Sequence, residues 1–140
     1  VENLQITAAA LPNVRFLSRQ PISEVGSYLA AADTLLIHLK NDPLFRMTIP
    51  QKTQAYLAAG RPIIIGVEGN AADLVLRAGA GISCQPENPD SIAAAVRSMA
   101  GKSVADRDAM GKNGNAFYQR ELSLQVGIRQ FDQVFRSVVS

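Results

Sequence analysis

Between Phe45 and Pro62 the chain combines backbone donors with a cation. Thr48, Ile49 and Gln51 each contribute a main-chain N–H, Pro50 presets the turn without offering one, and Lys52 adds positive charge. Where such a run opens a helix, unpaired N–H groups and the positive end of the helix dipole act together, which is the physics of a phosphate site. Lys52 is electrostatically odd in a first turn. A cation there opposes the dipole and costs a few tenths to about 1 kcal/mol unless an anion lies close by. The plain alternatives are a lysine in water and, for Thr48, a helix N-cap.

Other side chains carry chemistry with a bland counterpart. His38, the only histidine, lies near the end of an apolar run where general acids and bases occur, although a lone histidine is more often structural. Lys40 and Arg46 flank the following loop and either attract phosphate or are solvated. Glu68-Gly69-Asn70 follows the strongest apolar run, as a ligand-facing loop or as a turn with Asn70 capping a helix. Phe117, Tyr118, Phe131 and Phe135 recur at helical intervals and read as core.

The elements that must position these residues alternate between two periods. Val14–Leu17 is a short β-type run, and Pro21 opens a helical pattern to Ala32. Thr34–Leu39 is apolar at nearly every position, as in a strand covered on both faces. A loop over Lys40–Thr48 carries the turn residues Asn41-Asp42-Pro43. A helix is expected from Pro50 to a left-handed cap at Gly60, then a strand at Ile63–Val67, a helix Ala71–Ala78, a strand Gly81–Cys84 and a helix Pro89–Met99. From Val104 onward the pattern is helical, with a break expected near Gly111–Gly114 and a last amphipathic helix over Leu124–Val138. This order predicts an α/β fold with a doubly wound parallel sheet, whose ligands bind beyond the carboxyl ends of the strands.

Composition limits the classes of function. The 140 residues are 47% hydrophobic and 19% charged, the profile of a globular domain. Fourteen basic residues against twelve acidic ones leave a formal charge of +2 without a basic run, which argues against nucleic-acid binding. Apolar runs such as Leu35–Leu39 and Pro62–Ile65 are far shorter than the roughly 20 residues of a membrane helix. The single cysteine, Cys84, suggests neither disulfide nor metal site and fits a reducing cytoplasm. Without an initiator Met or a signal-peptide layout at Val1–Ala10, the chain is expected to be cut from a longer protein.

Pro50-Gln51-Lys52, followed by Ala55-Tyr56-Leu57-Ala58-Ala59-Gly60-Arg61-Pro62-Ile63-Ile64, resembles the C-terminal nucleotide-sugar-binding domain of the family-four glycosyltransferases of the GT-B fold. Members commonly read P-x-K-x-x-E-Y-L-A-A-G-(K/R)-P before an apolar strand. Leu11-Pro12-Asn13-Val14-Arg15-Phe16-Leu17, Asp33, Ala78-Gly79-Ala80-Gly81, Pro86-Glu87-Asn88-Pro89 and Ile92-Ala93-Ala94-Ala95-Val96 match further blocks in the same order, from about Leu11 to Glu121. The likeness is greatest to the bacterial branch that builds lipopolysaccharide O-antigen or capsule, including aminosugar transferases of the WbuB type.

The resemblance implies that residues 1–122 are part of a Rossmann-like nucleotide-sugar-binding domain and that 123–140 form a helix bracing an absent N-terminal domain. It implies a retaining transfer of a hexose or aminosugar from a nucleoside-diphosphate sugar, UDP-linked by expectation, to a glycan or lipid-linked acceptor reached through the missing domain. No cofactor and no metal are expected, because helix dipole and cations stabilise the departing diphosphate. Thr48, Ile49, Gln51 and Lys52 would hold that diphosphate. His38, Arg46, Met47, Ala55 and Glu68 are further candidates for contact with donor sugar or nucleotide. The resemblance assigns no catalytic side chain to this chain, which by itself should not turn over. The full-length protein is expected in the cytoplasm, peripherally at the inner face of the bacterial inner membrane.

One departure stands out. Aligned on Tyr56 and Gly60, Met47 and Ala55 occupy the places of the family's two glutamates, one facing the donor sugar and the other holding the ribose. Neither side chain accepts a hydrogen bond. Gln51 and Gln54 are neighbouring substitutes, though Gln54 faces another side of the helix. Two alternatives share the fold class. A nucleotide-sugar epimerase would use the same binding domain. A phosphoacceptor or other protein-binding module would need an aspartate at a strand's carboxyl end, whereas Asp33 begins its strand.

Overall fold

The computed structural model describes residues 2–139. Helix α1 (Glu2–Ala8) and a stretch without regular structure lead into α2 (Ile22–Ala31). The chain continues through β1 (Leu35–His38), α3 (Pro43–Met47), α4 (Gln51–Ala59), β2 (Ile63–Gly66), α5 (Asn70–Arg77) and β3 (Gly81–Ser83). Then come α6 (Pro89–Ala100) and α7 (Val104–Phe117), and a π-helical turn, Tyr118–Leu122, joins α7 to α8 (Leu124–Val139).

The three strands form a parallel sheet in the order β1-β2-β3, with Ile63 of β2 in register with Leu35 on one side and Gly81 on the other. Ile63, Ile64 and Ile65 are all buried, and their alternation shows why. Ile63 and Ile65 share a core with Leu57 of α4, Val75 of α5 and Phe117 of α7, whereas Ile64 packs with Ala95 and Met99 of α6 on the opposite face. Helices cover both faces of a parallel sheet, which is the expected doubly wound arrangement. A hollow of about 530 Å³ lies beside β1 on the α6 face, lined by Asp33, Leu36, Ile64, Val96, Met99 and Arg107 among others.

Helix α4 ends as its sequence requires. Gly60 adopts φ 67° and its N–H bonds to the Leu57 carbonyl, a left-handed stop that glycine makes without steric cost.

Four expectations fail, one because of a local helix cap and three because of tertiary contacts made or missing. Val14–Leu17 is not a strand: Val14, Phe16 and Leu17 stay exposed, and among the described residues no strand pairs with them. The loop read over Lys40–Thr48 contains α3, because Asp42 and Pro43 start a helix; the Asp42 carboxylate accepts the Leu44 N–H at 2.8 Å and Pro43 fills the first helical position. There is no break at Gly111–Gly114. Helix α7 runs through both glycines, since they are contact points: a Cβ on Gly111 would overlap the Gly60 carbonyl oxygen, and one on Gly114 would lie 3.1 Å from the Leu57 side chain. Phe117 is buried as expected, and Tyr118 packs against the core. Phe131 and Phe135 do not join it.

Those two rings stack on each other, 6.4 Å apart, on the outer face of α8. Ile128, Phe131, Val134, Phe135 and Val138 are 58–78% exposed, while Val126 nearer the start is buried. Such a stripe exceeds what a soluble monomer ordinarily shows to water. The chain is therefore expected to self-associate in sedimentation velocity, and the double substitution Phe131→Ser with Phe135→Ser to return it to a monomer. A clean monomer at high concentration would contradict this.

Candidate functional site

The carboxyl ends of the three strands carry the loops that matter in a doubly wound sheet. His38 closes β1, Glu68 and Gly69 follow β2, and Cys84 to Asn88 follow β3. A cleft of about 380 Å³ lies there, lined by Val67, Glu68, Gly69, Ala72, Ser83, Cys84, Gln85, Pro86 and Ser91. The larger hollow beside β1 contains residues from the opposite end of that strand. The carboxyl end is the candidate site: the open start of α4 is reached there from the loop after β1, although none of Thr48, Ile49, Gln51 and Lys52 lines the cleft itself.

Helix α4 begins without a side-chain cap: Pro50 occupies the cap position, so Thr48 is not the N-cap. Thr48 instead ends α3, where its hydroxyl lies 3.4 Å from the Phe45 carbonyl oxygen, a long and weak contact. The N–H groups of Ile49, Gln51 and Lys52 find no acceptor within the described chain. All three residues are exposed, as is Thr48. This end of α4 is therefore open, and Lys52 makes neither ion pair nor side-chain hydrogen bond among the described residues. Inside the same turn, Thr53 is fully buried and its hydroxyl has no partner among the described residues, at a cost of about 1–3 kcal/mol. Sequence reasoning passed over Thr53, and nothing in its type or spacing marks it.

The remaining candidates separate. Met47 is 70% exposed. Ala55 is exposed and, at 100° per residue, lies opposite the buried Thr53 and Leu57. Arg46 is already engaged: it pairs with Glu68 at 2.9 Å and donates to the Asn41 side chain at 3.1 Å. With both partners about half exposed, the ion pair itself contributes at most about 1 kcal/mol. His38 has a structural partner, its Nε2 accepting the Glu87 N–H at 2.9 Å. Lys40 is exposed.

Asn70 does not cap α5. Gly69 holds that position with φ 81°, and Asn70 instead donates from its side chain to the Met47 carbonyl at 3.1 Å. A Cβ on Gly69 would overlap the Arg46 carbonyl. Only glycine allows the end of α3 to seat against the start of α5 in this way. Partial burial pushes the Cys84 thiol up from its ordinary range, so it stays protonated near neutrality and makes a poor nucleophile.

Residues 2–102 match the family model described as glycosyl transferases group 1. No curated protein matches the chain. Among solved structures, the chain is similar to a sucrose-phosphate synthase from Thermosynechococcus elongatus, with a TM-score of 0.81 at 20% identity. The alignment covers 99% of this chain and 33% of the other, so this chain spans about a third of that protein's length. The fold is that of the Rossmann-like C-terminal unit of GT-B glycosyltransferases. A family match over well more than half of the chain, on a fold of this kind, places the chain in the glycosyl transferases group 1 family.

Proposed function

We propose that this chain is the donor-binding part of a retaining glycosyltransferase, and that Thr48, Ile49, Gln51 and Lys52 hold the diphosphate of a nucleoside-diphosphate sugar. One observation carries the reading: three main-chain N–H groups without acceptors among the described residues open α4 beside a lysine that pairs with none of those residues. A bound diphosphate would take up those donors and neutralise the cation that opposes the helix dipole. During transfer the same groups would stabilise negative charge as it grows on the leaving diphosphate, and they need no reorganisation to do so.

Met47 and Ala55 leave ribose and sugar without carboxylate acceptors at two positions, so recognition there would rest on Gln51, main-chain groups and Glu68. The donor is proposed to be UDP-linked and the acceptor a glycan or lipid-linked glycan of the O-antigen or capsule class. In this reading residues 1–122 form part of the donor domain, and the exposed stripe of α8 braces the partner domain. No helix among the described residues is long and apolar enough to cross a membrane. A cytoplasmic enzyme lying against the inner membrane is the proposed setting.

Titration of the 15N-labelled chain with UDP tests the reading. The amides of Ile49, Gln51 and Lys52 are expected to shift most, with smaller changes around Glu68. Shifts confined to the amino ends of the strands, around Asp33 and Arg107, would overturn it. Assaying the full-length protein with and without an acceptor separates transfer from epimerisation.

A further inference from the structure

Glu87, in the loop after β3, has φ 57°. Among the described residues it is the only non-glycine with positive φ. A side chain in this conformation is strained, and strain persists where surrounding contacts hold it. Burial of the side chain is not what holds it, because Glu87 is exposed. Two long-range hydrogen bonds are. The Glu87 N–H donates to His38 Nε2 at 2.9 Å, and the Glu87 carboxylate accepts the Asn41 N–H at 2.8 Å. On either side, Pro86 is buried and Asn88 caps α6 by accepting the Ser91 N–H, so the loop is fixed at both ends.

The Asn41 contact leads into the proposed diphosphate site. Asn41 accepts a hydrogen bond from Arg46, which also pairs with Glu68. The loops after β1, β2 and β3 are thereby joined in one chain of contacts, with Glu87 as its link from β3. Helix α3, which holds Arg46, runs directly into the segment Thr48–Lys52.

We infer that Glu87 is a positioning residue for donor binding: its carboxylate, through the Asn41 N–H and Arg46, sets the path of the chain from α3 into the open end of α4. The inference rests on the diphosphate reading of that end. It assigns Glu87 no contact with the donor.

Substitution of Glu87 by glycine and by glutamine tests this. Glu87→Gly removes the carboxylate, keeps the backbone N–H for His38 and relieves the left-handed strain. Its melting temperature should stay level or rise, while the Asn41 amide exchanges faster with solvent. In the NMR titration its Kd for UDP should rise roughly tenfold, the scale of one charge-assisted hydrogen bond. Glu87→Gln retains an acceptor oxygen and should stay within about threefold of the parent, the weaker neutral bond accounting for the difference. A merely structural residue would lose stability and binding together, so a lowered melting temperature with UDP binding weakened equally in both variants overturns the inference. Lys52→Glu, measured alongside, separates the two readings. If it weakens UDP binding and Glu87→Gly does not, the positioning role fails alone. If neither variant changes binding, the diphosphate reading fails and this inference with it.

Discussion

Gly111→Ala is expected to destabilise the domain by about 3 kcal/mol or more, the upper range for adding a methyl group to a packed contact. The added carbon would overlap the Gly60 carbonyl oxygen and press within 3.3 Å of the Arg61 Cα. Both are backbone atoms, which cannot swing aside as a side chain would. Relief requires α7 to move off α4, which opens the contact that also includes Gly114, Leu57 and Asn115, whose side chain donates to the Ala58 carbonyl at 2.6 Å. For a domain of this size the loss corresponds to a melting temperature roughly 10 °C lower. Gly127 supplies the control. It too lies inside a helix, but a Cβ there meets nothing within 4 Å. Gly127→Ala should stabilise by roughly 0.5–1 kcal/mol through helix propensity alone. Thermal melts of the two variants should move in opposite directions; equal shifts would contradict the packing described for α7.

Lys52→Glu should weaken UDP binding by roughly a hundredfold, combining a lost charge-assisted contact with new repulsion of the diphosphate. The same change should leave the protein slightly more stable, by a few tenths to about 1 kcal/mol, because a carboxylate suits the first turn of a helix and an ammonium does not. The opposite signs carry the meaning of the experiment. A lysine that opposes the dipole and pairs with none of the described residues is costly in the free protein, and a bound anion would offset that cost. Calorimetric titration with UDP and a thermal melt measure the two effects. Unchanged affinity would mean that Lys52 is a solvated surface residue and that no diphosphate sits at this end of α4.

The features readable in the sequence were those set by local chemistry or by burial on both faces. The Ile63–Ile65 run could only be a central strand, Gly60 could only end a helix, and Pro50 marked the start of α4. Block order along the chain was enough to suggest the family. What the sequence left hidden depends, apart from one local ambiguity, on neighbours distant along the chain. Asn41-Asp42-Pro43 suits a turn and a helix start equally, and the Leu44 N–H at the Asp42 carboxylate decides between them. Gly111 and Gly114 look like helix breakers until Gly60 and Leu57 are seen against them. Asn70 has the chemistry of a cap but serves Met47, because Gly69 allows α3 to come that close. Val14–Leu17 has a strand's composition without a partner strand among the described residues. The tie from Glu87 to His38 and Asn41 spans more than forty residues and has no local signature.

The glycine-mediated seam between α4 and α7 has a mechanical consequence. Where two helices meet backbone against backbone, neither can slide or tilt separately without collision. The amides that open α4 are thus rigidly referenced to α7 and, through Leu57 and Phe117, to the sheet. Any movement of this unit would have to swing the whole body as a single lever, carrying the amides that open α4 with it.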